Sequence, residues 1–334
     1  MSTKKPITIF PITTFISDLP TNLVPQSTLS SFENGPTSGR LVIVGDVHGM
    51  KKSLDALLEK VSFDKSKGDH LIFVGDIANK GPDSPGVVDL AIKLDASAVR
   101  GNHENAILNA AADIKAKKES QLHSGDLTDT PALSENSKAD PREDTTARDC
   151  ENPDKNASST SHTTALALSK RQIDWLAALP LIIRVKLPQD LASTLGDTLI
   201  VVHAGLVPGI QPEDQNPYDL MHMRSLVGTP GEEGGLKSAE SPGEESWVVE
   251  WDQWQDKLAS KTTVIFGHDA KRRLQQSRHA IGLDSGCLYG HQLSALVVGA
   301  SDGKIEHRLV QVECADVPVV PTSSPKQDDE KMVA

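Results

Sequence analysis

The 334 residues, 37% of them hydrophobic, are enough for one large domain or two small ones with a sizeable core. A net charge of -12, with only two Tyr and six Phe, excludes a basic surface interleaved with aromatics, so no specific nucleic-acid duplex binding is expected. No window reaches the ~18 uninterrupted apolar residues of a membrane span and Met1 to Phe15 lacks a long apolar core, so no membrane segment or signal peptide is expected.

The acidity is local. Residues 119–161, 228–246 and 315–334 carry the whole excess of -12, and the rest of the chain is balanced. Cys150, Cys287 and Cys314 are odd in number, widely spaced and without a Cys-x-x-Cys, which argues against a disulfide framework or a thiolate zinc site. A reducing compartment fits, and a cytoplasmic location is expected.

In chain order, residues 1–39 are rich in Thr, Pro and Ser without a sustained period and read as a loosely structured leader. A catalytic domain is expected over residues 40–314, and a flexible tail over 315–334. Leu41 to Val44 is an apolar run that reads as a strand buried on both faces, ending in Gly45-Asp46-Val47-His48-Gly49. Lys51 to Val61 places Leu54, Leu57, Leu58 and Val61 at helical spacing, as the crossover of a βαβ unit. Leu71 to Val74 repeats the strand and ends in Gly75-Asp76. Pro85 opens a second helix with Ser84 as its cap. Val99-Arg100-Gly101-Asn102-His103-Glu104 precedes a third helix.

Residues 119–161 have almost no bulky apolar residue and read as a disordered insertion. Ala165 to Leu179 suggests a helix ended by Pro180. The strands Leu181 to Val185 and Thr198 to Val202 follow, the latter ending in His203-Ala204-Gly205. Residues 228–246 read as a second flexible loop, and Trp247, Trp251 and Trp254 as one core-facing helix side. Thr262 to Phe266 ends in Gly267-His268-Asp269, and three more strands complete the chain. The pattern predicts a mixed α/β sandwich flanked by helices, with a dinuclear metal site at the strand ends.

Five times a short apolar strand ends in a carboxylate, carboxamide or imidazole beside glycine, and these oxygen and nitrogen donors suit a hard to borderline cation. In a two-ion arrangement the first metal takes Asp46, His48 and Asp76, and the second takes Asp76, Asn102, His203 and His268, with Asp76 bridging. Zn, Mn or Fe suit this set better than Mg. Such a pair clamps a phosphate and makes hydroxide available near neutral pH. His103, beside Asn102, is placed to protonate the leaving oxygen, so His103 and Asp76 are the catalytic candidates. Lys80, Arg100 and Arg224 are candidates to hold the phosphate.

The set GDVHG, GDIANKGPDS, RGNHE, HAG and GHDA, in this order, resembles the calcineurin-like metallophosphoesterase superfamily, specifically its phosphoprotein-phosphatase branch. The G-P-D-S continuation and Gly282-Leu283-Asp284-Ser285-Gly286-Cys287-Leu288-Tyr289-Gly290 are similar to diadenosine-tetraphosphatase-like phosphatases and fungal zinc-dependent endopolyphosphatases. The resemblance implies metal ligands, a bridging Asp, a catalytic His and a phosphate-holding Arg at the positions given above, and a vacuolar alternative for location. Two positions depart from the branch pattern: Asn79 stands where an acid pairs with the catalytic His, and Lys80 where an arginine stands.

The expected activity is cleavage of phosphoanhydrides, with inorganic polyphosphate cut internally. A Ser/Thr protein phosphatase and a dinucleoside polyphosphate or RNA cap hydrolase are the alternatives. A catalytically silent phosphate-binding scaffold is the reading from a different class.

Overall fold

Each long strand of this protein serves two cores, because its successive side chains point to opposite faces. In the computed structural model the described residues are 8–26, 39–124, 153–228 and 235–319. The first half contains β1 (Ile16–Asp18), β2 (Leu41–Val44), α1 (Lys51–Lys60), β3 (His70–Phe73), α2 (Ser84–Leu94), β4 (Ser97–Ala98) and α3 (Asn102–Ser124). In β2 and β3, Leu41, Ile43 and Ile72 face a core between two sheets, while Val42, Val44, Leu71 and Phe73 face α1, α2 and α3. That double burial explains why these strands read as unbroken apolar runs.

The second half adds α4 (Pro153–Ala167), α5 (Lys170–Ala177), β5 (Ile182–Lys186), β6 (Ala192–Ser193), β7 (Thr198–Val202) and α6 (Pro217–His222). After these come β8 (Ser225–Val227), β9 (Lys237–Ala239), α7 (Val248–Asp256), β10 (Thr262–Phe266), β11 (Gln275–Gln276), β12 (Ala280–Gly282), β13 (Gln292–Ser301) and β14 (Lys304–Glu313). One six-stranded sheet runs β4-β3-β2-β13-β14-β6 and the other β1-β5-β7-β10-β12-β11. Leu199, Val201 and Ile265 fill the inter-sheet core, whereas Ile200, Val202, Val264 and Phe266 pack on Trp247 and Trp251. The result is a mixed α/β sandwich with helices outside both sheets.

Two parallel trios matter for function. β2, β3 and β4 are parallel neighbours in one sheet, and β7, β10 and β12 in the other. Their carboxyl ends carry Asp46, Asp76, Asn102, His203, His268 and Asp284 to one rim.

Several segments differ from the sequence expectation. Within the leader, β1 pairs parallel with β5, since the backbone amides of an extended segment find partners on an open sheet edge. Helix α4 lies largely within the segment read as disordered, and the helix expected over Ala165 to Leu179 is two helices, the second opened by a Ser169–Gln172 capping box. In the loop read as flexible, β9 pairs with β8. The cap of α2 is Asp83, which accepts from the Gly86 amide, and Ser84 turns its hydroxyl to the Asn79 amide. The remaining parts of the leader, insertions and tail, residues 1–7, 27–38, 125–152, 229–234 and 320–334, lie outside the described residues.

The cysteine expectation is overturned: Cys287 and Cys314 form a disulfide. The hairpin of β13 and β14 places Gln292 opposite Glu313, so residues just beyond its two open ends become neighbours despite a separation of 27 in sequence. This pairing removes the argument from cysteine spacing for a reducing compartment.

Candidate active site

The rim is assembled from loops that glycine allows to approach one another. A Cβ at Gly267 would collide with an Asp46 carboxylate oxygen, and one at Gly101 with Asp76. Backbone strain gathers here too. Among the described residues nine non-glycine positions have positive φ, and five lie at this rim: His48, Asp76, Asn79, Lys80 and His268. That concentration marks the rim as the place where the fold sustains local cost for function.

Asp76 is central and buried. Its Oδ1 lies 3.4 Å from His203 Nε2 and its Oδ2 lies 3.7 Å from His48 Nε2. One carboxylate thus addresses two separate imidazole groups, the arrangement a bridging ligand requires. Two groups of residues offer ligand atoms within reach of one another, His48 with Asp76 and His103, and Asp76 with His203 and His268.

The second group shows its ligand atoms through hydrogen bonding. His203 Nδ1 lies 2.9 Å from the Val74 carbonyl, and His268 Nε2 lies 3.2 Å from the His222 carbonyl. A carbonyl only accepts, so each ring places its proton there and keeps a lone pair on the other nitrogen. Those lone pairs meet at Asn102 Oδ1, 3.0 Å from His203 Nε2 and 3.1 Å from His268 Nδ1. Acceptors converging on acceptors are what a divalent cation reconciles, so the residues fit the metal.

The electrostatics agree. Burial pushes Asp46 well above the usual carboxylate range, helped by the nearby Asp284 and Asp76 charges. Burial likewise raises Asp284 to about 6, with Asp76 adding to the rise. Burial holds His48 and His268 well below the ordinary imidazole value, in the neutral form that ligates. For His203 burial also pulls downward, but the Asp76 carboxylate outweighs it and raises the pKa. The pocket therefore calls for positive charge beside Asp76, which a divalent ion supplies without a proton.

The expected residues do not all meet. Asp46, His48, Asp76, Asn102, His203 and His268 come together at the rim. A cavity of about 360 Å³ opens on His48, Asp76, Asn102 and His268 and is also lined by His103, Lys80 and Arg224. Arg100 does not join it. Its side chain is fully buried, and the guanidinium donates to the carbonyls of Phe10, Pro11 and Ala177. The expectation that Arg100 holds phosphate is corrected: its guanidinium is drawn to the carbonyls of Phe10, Pro11 and Ala177 and stays outside the cavity lining.

Sequence reasoning passed over four residues. Glu104 is fully buried and accepts from the amides of Asp76, Ile77, Ala78 and Gly101, at 2.7, 2.9, 3.2 and 2.9 Å. Burial and Asp76 push its carboxyl up to about 7 while those four amides favour the carboxylate. It clamps the loop after β3 to the loop after β4. Asp284 sits at the end of β12, and its signal was the same apolar strand ending beside an acid. Lys271 lines the cavity and was visible only as part of a basic run. Ser161 was hidden in the acidic insertion.

A fold of two parallel trios with converging imidazole, carboxylate and carboxamide donors defines a metal-dependent hydrolase of phosphoesters. The chain belongs to the calcineurin-like phosphoesterases, whose family model matches residues 39–295. Its similarity to the zinc-dependent endopolyphosphatase of Saccharomyces cerevisiae is 27% identity, covering 89% of this chain and 88% of that one. The symmetrical bis(5'-nucleosyl)-tetraphosphatase of Delftia acidovorans is 24% identical, over 82% of this chain and 97% of that one. The crystal structure of a provisionally assigned diadenosine tetraphosphatase superposes with a TM-score of 0.58 at 30% identity, covering 90% of this chain and 98% of that chain. Among the described residues no helix is long and apolar enough to cross a membrane.

Proposed function

We propose that this chain hydrolyses phosphoanhydrides with two divalent ions, zinc or manganese before magnesium, and that inorganic polyphosphate cut internally is its preferred substrate. The ions would be held by Asp46, His48 and Asp76 on one side and by Asp76, Asn102, His203 and His268 on the other, with Asp284 close to Asp46. When bound, they supply Lewis acidity to phosphoryl oxygens and an activated water. His103 faces the leaving oxygen, and Lys80, Arg224 and Lys271 hold the phosphate groups.

The observation that carries this reading is charge at the mouth. Lys80, Arg224 and Lys271 all line the cavity, and among the described residues none of them is in an ion pair. Among the described residues the Arg224 guanidinium meets the carbonyls of Glu240 and His268, at 3.3 and 3.5 Å. Three cations left without carboxylates suit a ligand that brings several negative charges, more than one phosphomonoester offers. The endopolyphosphatase and tetraphosphatase relatives support an anhydride substrate.

A second reading is favoured by Tyr289, which is partly exposed and lines the same cavity. A ring there can stack on a nucleobase, an interaction worth about 1–3 kcal/mol per base in single-stranded complexes. That feature suits a dinucleoside polyphosphate. The test is kcat/KM on long-chain polyphosphate, diadenosine tetraphosphate and a phosphoserine peptide, in one buffer with zinc or manganese. Polyphosphate is expected first, and a phosphopeptide value above both anhydrides would make the protein a protein phosphatase instead.

A further inference from the structure

Four imidazoles surround Asp76, and the nitrogen each presents to the rim follows from the partner of its other nitrogen. His203 and His268 face carbonyls and keep a lone pair for metal, as described above. His103 is the opposite case. Its Nδ1 lies 3.0 Å from the side-chain nitrogen of Asn79.

The Asn79 amide cannot be turned around. Its Oδ1 accepts from the Lys80 backbone amide at 3.0 Å, a donor that never becomes an acceptor, and from the Thr164 hydroxyl at 3.2 Å. Its Nδ2 has two protons, and one goes to Ser161 Oγ at 2.9 Å. The other faces His103. The imidazole nitrogen receiving it has to be a lone pair, because two N–H groups cannot point at each other across 3.0 Å.

We propose that Asn79, held by Ser161 and Thr164 of α4, is a positioning residue that fixes His103 as the neutral tautomer carrying its proton on Nε2. Two consequences follow for the site. Nε2 lies 3.9 Å from Asp76 Oδ2, close enough to be grouped with the ligands, but a protonated Nε2 has no lone pair to give a metal. His103 is therefore a hydrogen-bond donor to the substrate and not a ligand.

The second consequence concerns the leaving group. A neutral imidazole gives up its Nε2 proton with difficulty, so His103 keeps it and donates a hydrogen bond to the departing oxygen. That is enough for an expelled phosphate and insufficient for an alkoxide, which needs a full proton. This consequence rests on the phosphoanhydride reading above; the tautomer does not, since it is read from a resting protein. The same network ties α4, at the far end of the acidic insertion, to the catalytic rim.

The experiment is nitrogen NMR on the zinc-loaded full chain labelled with ¹⁵N-histidine, the His103 signals being identified by their loss in H103Q. The expected wild-type spectrum at neutral pH shows Nε2–H with an unprotonated Nδ1. N79D should add a proton at Nδ1 while Nε2–H remains, since a carboxylate accepts where the amide donates and favours the imidazolium, and the acid so created should raise the rate ratio of phenyl phosphate to p-nitrophenyl phosphate by about tenfold. A merely structural role would slow both esters together. S161A and T164V, which keep Asn79 and the Lys80 amide that orients it, should retain the Nε2–H tautomer.

A wild-type His103 with Nδ1–H, or with both nitrogens protonated, overturns the proposal, and this spectrum decides the matter even if N79D fails to fold. An Nε2–H tautomer in a protein that hydrolyses no anhydride would retain the proposal and discard the substrate reading.

Discussion

The rim at the strand ends and the flank formed by residues 8–26 with α5 meet at a single segment, Val99 to Glu104, which runs into the first turn of α3, and treat it in opposite ways. On the rim side, Asn102 joins His203 and His268, and the His103 amide donates to Asp76 Oδ1 at 3.0 Å. On the flank side, Arg100 is met by three neutral carbonyls and by the Phe10 ring, 5.8 Å from its guanidinium carbon. The rim gathers charges that an ion or phosphate completes, whereas the flank meets the two terminal nitrogens of a guanidinium with carbonyls of the protein itself. The motif Arg100 to Glu104 thus carries chemistry on one face and scaffold on the other, and substitutions on the two faces should separate activity from stability.

The largest effect is expected at Asp76. Asp76→Asn removes the one carboxylate whose two oxygens address two imidazole groups, and Lewis-acid stabilisation worth several kcal/mol should go with it. The expected loss in kcat is about 10³-fold or more, with both ions loosened and the thermal midpoint near that of the wild type. Two tightly held ions and a near-normal rate in this variant, by metal analysis and a chromogenic phosphoester, would remove the bridging role.

Arg100→Met should do the reverse. It strands buried carbonyl acceptors, at a cost of about 3 kcal/mol by the usual scale for lost hydrogen bonds to a charged group. For a chain of this size that corresponds to a drop of about 4 °C in Tm. KM for p-nitrophenyl phosphate should stay within about twofold. A KM rise with an unchanged Tm would return Arg100 to the substrate and dissolve the contrast between the two faces.

This contrast also explains what could be read in advance. Asp46, His48, Asp76, His203 and His268 were legible because each follows an apolar run whose hydrophobic pattern marks a doubly buried strand, and because the device recurs. Arg100 was misread because its motif context and its charge both suggest phosphate, while its true partners are the carbonyls of Phe10 and Pro11, in a segment without period. Ser161 was missed for the same physical reason: a serine in an acidic, polar stretch gives no local sign that a distant Asn79 amide will use its hydroxyl. The disulfide escaped because a hairpin, not a spacing, brings Cys287 to Cys314.

Within the rim a smaller asymmetry should appear on metal removal. His203 and His268 are each oriented by a carbonyl, whereas among the described residues the buried Nδ1 of His48 has no hydrogen-bond partner. A partner of that kind is worth about 10–100-fold in metal affinity. Chelator titration of the two-metal protein should therefore show two steps separated by about that factor, with the ion on His203 and His268 leaving last. His48→Ala should abolish only the weaker step. A single step releasing both ions together would show that the two halves act as one unit.

The smallest effect is expected from shortening the connection between α3 and α4. These helices pack on each other, and α4 delivers Ser161 and Thr164 to Asn79, so both have to be kept. Replacing residues 125–152 with a short Gly/Ser linker removes only the acidic connection between them. Loop-closure entropy changes by about 0.6 kcal/mol per doubling of length, so cutting the connection to a quarter should alter stability by about 1.2 kcal/mol, in the stabilising direction. Polyphosphate KM should fall slightly if the removed acids repel the substrate, most visibly at low salt where screening is weak. A deletion carried through residue 161 makes the control, because it takes away the hydroxyl that holds Asn79 and should lower kcat while the shorter deletion does not. Equal activity in both deletions would show that α4 packs beside the rim without acting on it.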